Sequence, residues 1–324
     1  MANDTANIAN FWNAPNFVGE LFLIGANKTP FLNMVGGLQQ GGKMISALEF
    51  DLAQPYALEA ASQPAITETA SLAAPTPVTY VRGQDVSTVQ IFHRKLGASY
   101  LKLATSRSIS VVTGGANTTF TVDLAQAGQR VANEVDFQID AHLKQIALQV
   151  EYSFLRGSYQ RSTGVGVAPK MRGICTACTS NTVAAGAAAL TTTMLDTLVR
   201  TMAGNGAEFT RPVIFAGAFL VQKLSALYGF APEDRNVGGV AVKKIITDFC
   251  EIDVVWAPQI LATTLLLADM SVCRPVFCEV PGKGLLFYEE LSKTGAAEQG
   301  QIFGLIGLDY GPEEYHGTIT NIAN

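Results

Sequence analysis

The chain has 324 residues, 48% of them hydrophobic and only 15% charged, with a net charge of −5. That length allows one large domain or two smaller ones. Charge this far below the ordinary ~25% means either a large core under an Ala/Thr/Ser surface or a surface covered by other subunits. No basic block is available to neutralise phosphates, which excludes a tight nucleic-acid binder but not a container for nucleic acid.

The N-terminus, MANDTANIANFWNAPNF, has no basic segment followed by an apolar one, so no signal peptide is expected. The longest apolar runs, such as 260–268, stop well short of the ~18 residues of a membrane span. Folding in the cytoplasm, with the five cysteines reduced, is the expectation.

Residues 1–45 read as an arm, with Phe11, Trp12, Phe17, Phe22 and Phe31 spread among Asn, Gly and Pro. Large aromatics on a weakly periodic segment either dock on something else or pack on the chain's own core, and the pattern leaves both open. Within it, Lys28–Gly37 has a Pro start and a Gly-Gly stop around a short apolar turn. Residues 46–110 are rich in Thr, Val, Ser, Gln and Pro, and Pro55, Pro64, Pro75 and Pro77 argue against a helix between them. Two strands, 78–82 and 86–92, are predicted around the Gly-Gln-Asp turn at 83–85. This ribbon has too few large apolar residues to stand alone.

The most pronounced periodicity spans 123–157. Apolar or small residues recur at Leu124, Gly128, Val131, Val135, Ile139, Leu143, Ile146, Val150 and Phe154, which is one helix face. Asp123 and Gln126 form a candidate capping box, and Arg156-Gly157 a basic last turn with a left-handed cap. Such a helix would be roughly 50 Å long. Beyond it the pattern predicts a helix at 191–202, a buried strand at 212–217 and a helix at 218–229. Strands are predicted at 239–246, 251–257, 264–268 and 285–288, and two more in 301–322 around Gly311-Pro312. There is no internal repeat.

Enzyme chemistry finds little support. Cys175-x-x-Cys178 and Cys273-x4-Cys278 could supply four thiolates, but about ninety residues separate the pairs and no His or further Cys supports them. They read better as small buried hydrophobes. His93, His142 and His316 form no metal spacing, and there is no Walker loop, GxGxxG or GxSxG. Adjacent acids at Glu289-Glu290 and Glu313-Glu314 point to opposite faces of a strand, so neither pair is an acid/base dyad.

The order of arm, ribbon, long helix and α/β body resembles the major capsid proteins of tailed bacteriophages. TPFLNMVGGL (29–38), LEFDLAQP (48–55), EAASQPAITE (59–68), VRGQDVSTVQIF (81–92) and KTGAAEQGQIFGLIGLDYGPEEYHGTITNI (293–322) carry the resemblance, which spans nearly the whole chain. One departure is Pro312, which interrupts the usual closing strand. The resemblance implies an α+β fold of the Hong Kong 97 type. It would comprise an N-terminal arm (1–45), an extended loop with peripheral strands (46–110), a spine helix (about 123–157) with peripheral domain in 111–184, an axial domain (185–285) and return strands (286–324). It further implies hexamers and pentamers in an icosahedral shell around double-stranded DNA, a separate scaffolding protein, a portal and a possible decoration protein. No catalysis, metal, cofactor or membrane is implied, and the location is the virion, assembled in the host cytoplasm.

In that setting Phe11, Trp12 and Phe17 on the arm, and Val89, Ile91 and Phe92 on the ribbon, are expected to leave water against a neighbouring subunit. Arg82, Arg94 and Lys95 are candidates to meet Glu289 or Glu290 across the contact. Two alternatives stay open: an encapsulin-like nanocompartment shell, and a metal-dependent enzyme using the cysteines.

Overall fold

The computed structural model of the chain describes residues 28–38, 41–52, 56, 58–83, 85–105, 110–112, 119–121, 134–228, 244–293 and 295–323. In chain order the elements are α1 (Pro30–Val35), β1 (Lys43–Ile45), β2 (Glu49–Asp51), α2 (Glu68–Ser71), β3 (Val86–Thr88), β4 (Gln90–Ser99) and α3 (Tyr100–Thr105). Then follow β5 (Ser110–Val112), β6 (Thr119–Thr121), α4 (Glu134–Arg156), α5 (Ile174–Ala177), β7 (Thr182–Ala184), α6 (Thr192–Gly204), β8 (Pro212–Ala216) and α7 (Ala218–Tyr228). The chain closes with β9 (Lys244–Ile246), β10 (Glu251–Trp256), β11 (Leu265–Asp269), β12 (Arg274–Cys278), β13 (Leu286–Glu290), β14 (Ala297–Asp309) and β15 (His316–Thr320). The chain divides into two compact units. One holds Arg94–Lys144 and Tyr288–Ile302; the larger holds Lys28–His93, Gln145–Phe287 and Phe303–Asn324.

The larger unit is built on a mixed sheet in the order β7-β15-β11-β8-β10-β9. Every residue of β8 and of β11 is buried. On one face Ile214 and Ala216 pack with Leu195, Leu198 and Met202 of α6 and Leu220 and Leu224 of α7. On the other, Phe215 meets Phe31 of α1 with ring centroids 5.3 Å apart, and Phe31 meets Phe154 of α4 at 6.1 Å. A sheet covered on both faces needs apolar residues at successive positions, which is why PVIFA and LLLAD are unbroken apolar runs. Thr191 caps α6, its hydroxyl accepting from Met194 N.

α4 has 23 described residues, about 35 Å of helix. The predicted start at Asp123, with its capping box, lies outside the described residues. Ile146, Val150, Phe154 and Leu155 are fully buried, Leu143 is half-buried and Gln145 is exposed. Phe154→Ala should therefore cost about 3–5 kcal/mol, and Gln145→Ala no more than about 0.5 kcal/mol, in urea denaturation of the subunit. Equal effects would mean that the helix presents a different face.

The end of α4 corrects one expectation. Gly157 is not in the left-handed region; it is a glycine because backbone crowds it. A Cβ there would lie 2.5 Å from Ser153 O and 2.7 Å from Met171 O. Gly173 faces it, donating from N–H to Gly157 O at 2.9 Å.

α1 forms as its sequence suggests, with Pro30 in the first turn and Gly36 and Gly37 at φ 127° and 82° ending it. Thr29 does not cap it. Glu151 of α4 does, accepting from Phe31 N at 3.1 Å and Leu32 N at 2.7 Å. Phe31, Leu32 and Val35 of α1 thus belong to the subunit's own core, with Phe31 fully buried. Phe11, Trp12, Phe17 and Phe22 lie outside the described residues.

The chain's end departs from a simple strand pair. β14 belongs to a second sheet, ordered β1-β12-β14-β13 with β4 also on β14, whereas β15 lies in the first sheet between β7 and β11. Pro312 and the 3-10 turn Glu313–Tyr315 let the chain cross from one sheet to the other. The crossing is fixed by buried polar groups. The Asp269 carboxylate accepts from Thr210 N, Arg211 N and Ser271 N at 2.8–3.1 Å. Asp269 N donates to His316 Nδ1 at 3.2 Å, so the ring proton sits on Nε2, which donates to Tyr310 O at 2.6 Å. Burial pulls His316 down to about 4.

Candidate assembly surface

The segment between Leu52 and Asp85 is the most exposed part of the described chain. Tyr56, Leu58, Ile66, Leu72 and Val81 stand 64–84% exposed. Its one described helix, α2, buries no residue and is capped by Thr67. The predicted strand at 78–82 does not form, and β3 pairs instead with β2, in the register Glu49↔Thr88, Phe50↔Ser87, Asp51↔Val86. Valine and tyrosine favour strands only where a partner supplies a packed face, and among the described residues none is offered at 78–82.

The root of this segment is tied by polar side chains. Leu52 N donates to Asp85 O at 2.9 Å, one rung beyond the β2/β3 pair. The Asp85 carboxylate accepts from Arg172 Nη1 with both oxygens, at 2.9 and 3.0 Å, and from Tyr310 OH at 3.0 Å. The Arg172 guanidinium lies over the Tyr159 ring at 5.1 Å. Tyr310 itself is 1% exposed, so its hydroxyl is a fixed point. Burial and the Asp85 charge push the Tyr310 phenol up. On the neighbouring strand Arg161 Nε meets Glu49 at 2.7 Å.

The ribbon residues divide. Val89 and Phe92 are buried at 0% and 3% within the subunit, while Ile91 is 48% exposed and Arg82 is exposed. Ile91 and Phe92 are neighbours on β4 and point to opposite faces, so one of them must turn inward. In the smaller unit Arg94 is half-buried and Lys95 exposed; Glu289 accepts from Gln301 Nε2 at 3.1 Å, and Glu290 is exposed. His142 is held down by burial and then by the Arg94 charge. Ile246 and Phe249, 76% and 57% exposed, sit on the β9–β10 hairpin.

Burial pushes the Cys175 thiol up to about 12 and raises Cys178 and Cys273 as well, which keeps them protonated and small-hydrophobe in character. Among the described residues no group of His, Cys, Asp and Glu is arranged to hold a metal, and no helix is long and apolar enough to cross a membrane. The sequence reading missed Glu151, Asp85, Arg172 and Tyr310. A charge at position 151, one residue from Val150 on the apolar stripe, was a usable signal for the first. The other three come from distant segments and leave no local pattern.

The chain matches the family model described as SU10 major capsid protein over residues 4–323. No curated protein matches it by sequence. Its fold is similar to that of the cyanophage A-1(L) capsid (13% identity, 96% of each chain covered, TM-score 0.64). It is similar to the capsid chain of Mycobacterium phage Patience (13% identity, 91% of this chain and 84% of that one, TM-score 0.55). It is similar also to an encapsulin of Synechococcus elongatus (9% identity, 99% and 96%, TM-score 0.54). At these identities the likeness is one of fold.

Proposed function

We infer the function from one premise, that the chain belongs to the SU10 major capsid protein family: copies of it gather as hexamers and pentamers into the icosahedral head of a tailed phage, around double-stranded DNA. The chain is a structural component of the virion, with the Hong Kong 97-type α+β fold. The family match over nearly the whole chain carries this reading, and the low charge content supports it, since residues that end up between subunits are depleted in charge. The acidic balance suits a wall that encloses DNA without gripping it.

On this reading residues 1–45 act as the arm, with α1 docked on the subunit's own core, 46–110 as the extended loop, α4 as the spine, 185–285 as the axial domain, and 286–324 with part of 111–184 as the peripheral domain. Phe11, Trp12 and Phe17, together with the exposed Ile91, serve as docking residues on a neighbouring subunit. Arg82, Arg94 and Lys95 serve as rim partners for Glu289 and Glu290 of the next copy, setting register more than strength. A separate scaffolding protein and a portal complete the partners.

Electron microscopy of the protein expressed alone and with its neighbouring gene products tests the reading. Capsomers and closed shells are expected, with DNA inside heads from infected cells. A sharp monomer at every concentration, with and without scaffold, would overturn it. Shells that hold a protein cargo and no DNA would move it to an encapsulin-like compartment.

A further inference from the structure

We propose that Asp85, Arg172 and Tyr310 are positioning residues that fix the direction in which segment 58–83 leaves the subunit. The inference rests on the assembly reading for its purpose, but its geometry stands alone. The backbone and side-chain hydrogen bonds described for 58–83 are all local, within and beside α2. Nothing described along the segment ties it to the body, so its direction is decided where it begins and ends. There the Leu52–Asp85 rung closes a ribbon of only three residue pairs. Phe50, Ser87 and Thr88 are buried and hold the base of this ribbon, so it is the last rung, at the start of the exposed segment, that side chains must fix.

Asp85 supplies the hold. One guanidinium nitrogen engages both of its oxygens, and the Tyr310 hydroxyl engages Oδ2. The two donors come from distant parts of the chain and also meet each other. Arg172 sits on the Tyr159 ring beside the crowded Gly157–Gly173 crossing, and Tyr310 is buried where the chain passes between sheets. Two fixed donors on one carboxylate define an orientation, where a single contact would allow rotation about it. A planar guanidinium holds that geometry better than an ammonium does. Arg161–Glu49 steadies the other strand but, at 67% exposure of the arginine, is the looser tie.

Spin labels carried on unnatural amino acids at Leu72 and Gly164, in the otherwise intact chain, report the segment's direction as a distance distribution. Asp85→Asn, Arg172→Lys and Tyr310→Phe should each widen that distribution at least twofold while shifting the melting midpoint by only a few degrees. The yield of closed shells should fall at least tenfold. Native-width distributions in all three variants would overturn the proposal, and so would full shell yield despite a widened distribution. If the Asp85 or Arg172 variant does not fold, Tyr310→Phe, which removes one hydroxyl, decides by the same measurement. Absence of shells from the unaltered protein would count against the assembly reading and leave the distance measurement as the test of this one.

Discussion

Gly173→Ala and Gly157→Ala are each expected to prevent the larger unit from folding stably, and Gly164→Ala to change nothing. A Cβ on Gly173 would enter the backbone of Arg156 and Gly157, and one on Gly157 would meet two carbonyl oxygens within 2.7 Å. Adding a methyl to a packed core ordinarily costs about 1–3 kcal/mol because side chains can shift. Here the obstacles are main-chain atoms. They are held by Gly173 N to Gly157 O at 2.9 Å and by Thr176 Oγ1, 2.7 Å from the carbonyl oxygens of both glycines. Relief would mean pulling α5 away from the end of α4 and breaking those bonds, so the cost lies at or above the top of that range. Gly164 has nothing within 4 Å and no positive φ, so its alanine variant controls for composition. Soluble yield and urea midpoint of the three variants give the answer. A Gly173→Ala subunit as stable as the wild type would show that the two backbones can part at the crossing at little cost.

The same region shows what the sequence could and could not reveal. The end of α4 at Arg156 was legible, because a period of 3.6 stops where glycine follows. Why the glycine is there was not, since its reason lies sixteen residues away at Gly173. PVIFA and LLLAD were legible as buried strands because burial on two faces leaves an unbroken apolar run. The ribbon was misread at 78–82 because its composition favours strands while its real partner, β2, pairs with 86–88. Val89 and Phe92, read as docking residues beside Ile91, face the subunit's own core, which strict alternation along β4 already required for one of the neighbours Ile91 and Phe92. Asp85 meets Arg172 and Tyr310 across 87 and 225 residues of chain, and no window of local pattern spans that.

Two buried ionisable groups should give the subunit's stability a hidden pH dependence, exposed only when one of them is removed. Glu151 lies in the core under α1, where burial pushes its carboxyl up from 4.5 to about 7 against the pull of the Phe31 and Leu32 amides. Its folded form binds the proton more tightly than its unfolded form. The stability it contributes is therefore full below pH 4.5 and lost as pH rises through 7. His316 is the reverse case. Held neutral between Asp269 N and Tyr310 O, and pulled from 6.5 down to about 4, it contributes stability above pH 6.5 that is lost as pH falls through 4. Between pH 4.5 and 6.5 one group loses what the other gains, each at about 1.4 kcal/mol per pH unit. Glu151→Gln, which keeps an oxygen to accept from α1, should make the urea midpoint climb with pH across that window. His316→Gln should make it fall. The double variant should return to the wild-type slope, because neither titration then remains. A Glu151→Gln subunit whose stability is as level as the wild type's between pH 4.5 and 6.5 would mean that the carboxylate cap of α1 stays ionised throughout, with the two backbone amides outweighing burial.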